Sequence, residues 1–118
     1  MGLFSRKPAS SRLDTGEQSV IARFQLGAGP SGTATDMYSV YALEERLAAA
    51  IRDARAGEFD GPQFGDSDVV LSAYGPDADR LFAAMEPALR AFPPRPASVL
   101  LRYGGYDDPD APEYTVQL

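Results

Sequence analysis

Apolar and polar residues alternate along the first ordered-looking stretch of the chain. Val20, Ala22, Phe24 and Leu26 fall on one side of an extended backbone and Ile21, Arg23 and Gln25 on the other, because successive strand side chains point to opposite faces. This predicts a strand over 19–26. The period then lengthens. Leu43, Leu47, Ile51 and Ala54, supported by Val40 and Ala50, recur at helical spacing and predict a helix over 37–56. Glu44 and Glu45 come early and Arg52 and Arg55 late, as the helix dipole favours, with Asp36 or Ser39 as the expected cap and Gly57 as the expected left-handed stop. Tyr38 and Tyr41 at the helix entrance are expected to pack in the core or at its rim, a binding pair being the alternative.

Alternation returns at 69–74, where Val69, Leu71 and Ala73 oppose Val70, Ser72 and Tyr74. Before it lies a short strand over 58–64, anchored by Phe59 and Phe64 and interrupted at Gly61-Pro62 as an edge strand is; Gly65-Asp66-Ser67 turns it into its neighbour. Behind it comes a helix start. Gly75 is the expected N-cap, Pro76 the first helical residue, and Asp77 and Asp79 set negative charge against the first-turn amides. Leu81, Phe82, Met85, Leu89 and Phe92 form the apolar stripe, with a bend expected at Pro87 and a stop at Pro93-Pro94. A strand over 98–103 points Val99, Leu101 and Tyr103 inward and Leu100 and Arg102 outward, and a last strand over 114–118 follows the turn chemistry of 104–112.

The order of these elements is that of an α+β fold, a ferredoxin-like split β-α-β-β-α-β plait with an extra C-terminal strand. Right-handed crossovers place the strands 4-1-3-2 in an antiparallel sheet with both helices on one face, and the final strand hairpins onto the fourth. Residues 1–18 mix Ser, Arg, Lys, Pro and Gly and read as a mobile leader; 19–118 form a single domain. The sheet then has a face without a helix, carrying Ile21, Arg23, Gln25, Val70, Ser72, Tyr74, Leu100 and Arg102. Arg23 and Arg102 are expected opposite or diagonal on the first and fourth strands, where two guanidiniums would hold a carboxylate or phosphate between them.

Composition narrows the chemistry. The chain has 118 residues, a formal charge of −6, no cysteine and no histidine. A net negative charge without a dense basic cluster opposes binding to a phosphate backbone, so no nucleic-acid partner is expected. The missing thiol and imidazole remove thiolate chemistry and the commonest general base and metal ligand, so the chain is expected to be no enzyme and to need no cofactor. No stretch has the apolar length of a membrane span, and 1–7 lacks the apolar core of a signal peptide, so no membrane partner and a cytoplasmic setting are expected. Gly27-Ala28-Gly29-Pro30-Ser31-Gly32 spells G-x-G-x-x-G, but Pro30 has no amide for a pyrophosphate, and the run reads as a loop of small residues. The carboxylates at Glu58, Asp60, Asp66 and Asp68 and at Asp107, Asp108, Asp110 and Glu113 do not follow the spacing of a calcium loop.

The run from Gly57 to Tyr103, with Gly-Glu-Phe-Asp-Gly, Gly-Asp-Ser-Asp-Val-Val-Leu and Tyr-Gly-Pro-Asp-Ala-Asp-Arg-Leu-Phe, resembles a group of small bacterial proteins with a GPDADxLF-type strand-turn-helix and no assigned activity. More loosely, the acidic balance and the Tyr103-Gly104-Gly105-Tyr106 ending resemble the ribonuclease E inhibitor family of acidic plait proteins, whose long acidic tail this chain lacks. Neither resemblance carries a functional residue across. The expectation is a non-catalytic protein-binding or homodimerising module, an acidic inhibitor or immunity-type protein being one form, with Arg23, Tyr74, Leu100 and Arg102 as its binding face. The alternative is a small-anion sensor that uses Arg23 and Arg102.

Overall fold

The computed structural model describes residues 17–27, 33–92, 96–105 and 108–118. The elements are β1 (Gln18–Gln25), α1 (Ala34–Ala54), β2 (Glu58–Phe64), β3 (Asp68–Gly75), α2 (Ala78–Ala91), β4 (Ala97–Arg102) and β5 (Glu113–Gln117). They form an α+β domain with a five-stranded sheet ordered β2-β3-β1-β4-β5, in which every neighbouring pair is antiparallel. The spatial order expected from the sequence is therefore the order found. Most of the expected leader, 1–16, lies outside the described residues; β1 starts at Gln18, whose Oε1 accepts from the Ala78 amide at 2.7 Å, satisfying a donor in the first turn of α2.

One face of the sheet is dry. Val20, Ala22 and Phe24 of β1, Val69, Leu71 and Ala73 of β3, and Val99 and Leu101 of β4 are buried together with Val40, Leu43, Leu47 and Ile51 of α1 and Leu81, Met85 and Leu89 of α2. Each of the larger of these side chains, from valine up, contributes about 1.5–3 kcal/mol by leaving water. The Phe24 and Phe92 rings, 4.6 Å between centroids, tie β1 to the residue that ends α2. Pro87 lies inside α2 and does not end it, as the continuing stripe implied.

The helix starts differ from expectation, and side-chain hydrogen bonding is the reason; the end of α1 differs through backbone bonding. Thr33 caps α1, and Asp36, an expected cap, is instead the third helical residue of a capping box: Asp36 N donates to Thr33 Oγ1 at 3.1 Å and the Asp36 carboxylate accepts from Thr33 N at 3.2 Å. Asp77 rather than Gly75 caps α2, accepting from Arg80 N at 3.2 Å, so Pro76 precedes the helix. Arg55, φ 51°, makes the left-handed stop expected of Gly57. Gly57 answers a different need. A Cβ there would stand 1.9 Å from the Tyr74 carbonyl oxygen, and one on Gly75 would stand 2.1 Å from that of Ala56, so the chain leaving α1 passes β3 backbone to backbone.

Candidate functional site

The helix-free face can be built row by row from the strand register. Its middle row runs Gly61, Ser72, Ile21, Leu100, Thr115 across β2-β3-β1-β4-β5. On one side lies Gln63, Val70, Arg23, Ser98, Gln117, and on the other Glu58, Tyr74, Ser19, Arg102, Glu113. Ile21, Val70, Tyr74 and Leu100 are half-buried, and no helix among the described residues covers them. Period-two alternation alone puts these residues together, since each is one position from a core residue.

The expected arginine clamp is not formed. Arg23 is opposite Ser98 and Arg102 opposite Ser19, four positions apart along the β1–β4 ladder, which is about 13 Å at the rise of a strand. Each guanidinium is also engaged locally. Arg23 Nη1 lies 2.6 Å from Asp68 Oδ2. Arg102 donates to the carbonyls of Gly105, at 3.4 Å, and Asp108, and its Nε lies 3.4 Å from Glu113 Oε2. Arg102 thus holds the β4–β5 connection in place, a role its outward position in the sequence pattern did not reveal. The register, not the residue types, decides this.

Beside Arg23, the ends of β1, β3, β4 and β5 enclose a shallow depression of about 350 Å³, which Gln25, Asp68, Ser98 and Gln117 also line. With Asp68 paired to the guanidinium, the depression is polar but close to neutral, and a carboxylate already occupies the place of an incoming anion. Residues 28–32 of the glycine-rich loop lie outside the described residues. Its base tells enough: the Asp36 carboxylate, 5 % exposed, also accepts from Gly27 N at 2.7 Å. The start of α1, where a phosphate would sit in a nucleotide loop, is filled by the chain's own negative charge.

Three aromatic residues stand apart from this face. Tyr38 and Tyr41 do not pack in the core or at its rim but are 76 % and 50 % exposed. Val40, Leu43, Leu47 and Ile51 set the inward stripe of α1, and about 100° per residue carries Tyr38 and Tyr41 away from it. Tyr114 is 62 % exposed because α2 does not extend over β5. Tyr103, by contrast, packs on the core, and its hydroxyl donates to Asp79 Oδ1 at 2.5 Å. The phenol is pushed up to about 12, first by that hydrogen bond, then by partial burial and by the charges of Asp79 and Asp77. Among the described residues, no group of three or more Asp or Glu is arranged to hold a metal ion, and no helix is long and apolar enough to cross a membrane. Comparison with protein-family models, with curated proteins and with solved structures gives no match. The two resemblances seen in the sequence therefore add nothing to the geometry.

Proposed function

We propose that this chain is a non-catalytic protein-binding module that meets its partner with the helix-free face of a ferredoxin-like plait extended by one strand. The element order and the order β2-β3-β1-β4-β5 support the plait. The observation that carries the function is the middle row of that face, where Ile21 and Leu100 lie side by side, half-buried, with no helix over them among the described residues. Apolar surface gathered on one face rather than scattered marks a contact region. Five strands about 4.8 Å apart and about six residues long give a flat projection of about 500 Å², to which side-chain relief adds. A standard interface uses about 800 Å² per partner.

The two arginines of this face are paired within it, Arg23 with Asp68 and Arg102 with Glu113. Such a face suits a neutral, partly apolar partner surface better than the basic cleft of a nuclease or a free anion, and Leu100, Ile21 and Tyr74 are its anchors, with Arg23 at the rim. Arg102 contributes by fixing the connection beside it. The reading is tested by affinity capture from the source cells with wild type, Ile21→Glu, Leu100→Glu and, as a control on α1, Arg52→Glu. A protein recovered by wild type and Arg52→Glu but lost with both sheet variants is the expected result. Recovery of the same proteins by wild type and Leu100→Glu would remove the face from the account.

A further inference from the structure

We infer that β5 is a self-pairing edge, through which two copies of the chain join about a two-fold axis into one continuous sheet. The two edges of the sheet differ in how they are guarded. On β2 the register shifts between Phe59 and Gly61, Gly61 has φ 97°, and Pro62 follows; a bulge and a proline both spoil an edge for further pairing. β5 has neither: Glu113 to Gln117 runs in unbroken register with β4.

Hydrogen bonding shows which atoms of β5 face outward. Tyr103 N donates to Pro112 O and Leu118 N donates to Ala97 O, so the even-numbered residues of β5 direct their amides and carbonyls at β4. Antiparallel ladders alternate strictly, so Glu113, Thr115 and Gln117 direct theirs at the outer edge, which no strand among the described residues covers. A second β5 laid antiparallel with Thr115 opposite its own copy pairs Glu113 with Gln117 and Gln117 with Glu113, about six backbone hydrogen bonds in all. Between them Tyr114 meets Val116 twice, at the closer non-hydrogen-bonded positions, an aromatic and a β-branched residue that favour each other across strands. The 62 % exposure of Tyr114 is thereby put to use. Centring the pair on Glu113 instead would set like charges opposite each other and leave most of the edge unused.

The axis is perpendicular to the sheet, so the helix-free faces of the two copies become one surface. The inference stands on the edge alone and does not depend on what that face binds. With so short a contact, association is weaker than through a standard interface and depends on concentration.

The chain has no cysteine, which makes the register directly testable. Thr115 and its copy would lie about 5.5 Å apart at Cα, within disulfide range. Glu113 and its copy would lie about 13 Å apart, beyond it. Under mild oxidation Thr115→Cys is expected to form a covalent dimer at least about tenfold faster than Glu113→Cys. In sedimentation equilibrium the wild-type mass is expected to rise toward twice the monomer with concentration. Thr115→Pro, which removes an outward N–H and none directed at β4, is expected to stay monomeric. Equal cross-linking of the two cysteine variants, a wild type monomeric at every concentration, or association unchanged in Thr115→Pro would each overturn the inference. None of these measurements involves the partner of the helix-free face, so this reading and the proposed function fail separately.

Discussion

Replacing Asp36 by Ala tests the account of the α1 start with a magnitude that the geometry supplies. The carboxylate is 5 % exposed and accepts from Gly27 N at 2.7 Å and from Thr33 N at 3.2 Å. Hydrogen bonds to a charged group are worth about 1.5–3 kcal/mol each, and a buried donor left unsatisfied costs about 1–3 kcal/mol, less here because both amides are only part-buried. Favourable charge at a helix start adds about 0.3–1 kcal/mol. These contributions overlap, because both amides share one oxygen, so the expected loss is about 3 kcal/mol rather than the sum. For a domain near 100 residues that lowers Tm by about 10–15 °C. Asp36→Asn keeps an acceptor oxygen but loses the charge, and should cost about half as much. Urea unfolding of the three proteins, followed by circular dichroism, gives the differences directly. A loss under about 1 kcal/mol in Asp36→Ala would refute the reasoning, since it would mean that water serves the two amides as well as the carboxylate does.

Further outcomes follow from other contacts. Gly75→Ala should destabilise severely and lower soluble yield, because the new Cβ would stand 2.1 Å from the Ala56 carbonyl oxygen and neither backbone can yield without parting β3 from the chain entering β2. Absorbance titration of the tyrosines should show one phenol lagging to about 12, absent in Tyr103→Phe. Since its folded value lies above the ordinary 10.0, the Tyr103 contribution to stability is fully present below about pH 10 and is lost as pH rises toward 12. A Tyr103→Phe variant whose stability falls with alkaline pH as steeply as wild type would contradict that assignment. Removing the Arg23–Asp68 pair with Arg23→Gln should change stability by less than about 1 kcal/mol, because the guanidinium is largely exposed.

Much of the fold could be read from the chain because its two periods are clean. Val20, Ala22 and Phe24, then Val69, Leu71 and Ala73, alternate without a break, and Leu43, Leu47 and Ile51 keep to one stripe, so faces and element order followed from geometry alone. Helix ends were less legible. Thr33 and Asp77 compete with Asp36, Ser39 and Gly75 as caps, and only the hydrogen bonds formed choose among them. Arg23 and Arg102 show a second limit: both point to the helix-free face, yet their separation depends on a register that a sequence does not state. Tyr38, Tyr41 and Tyr114 show a third, because an aromatic side chain packs only where a neighbouring element reaches it, and among the described residues none covers these three.

The central claim is that one face of the sheet is core and the other is contact surface, and the adjacent residues Leu100 and Leu101 test it most directly. Leu101 is 2 % exposed on the dry side, while Leu100 is half-buried on the side without a helix. A glutamate at position 101 would bury an unpaired charge, at a cost of several kcal/mol against a total stability of about 5–15 kcal/mol. Thermal unfolding of Leu100→Glu and Leu101→Glu by circular dichroism is expected to give a folded protein within a few degrees of wild type in the first case and an unfolded or grossly destabilised one in the second. Equal destabilisation of the two would contradict the account, because Leu100 would then be core and no open face would exist.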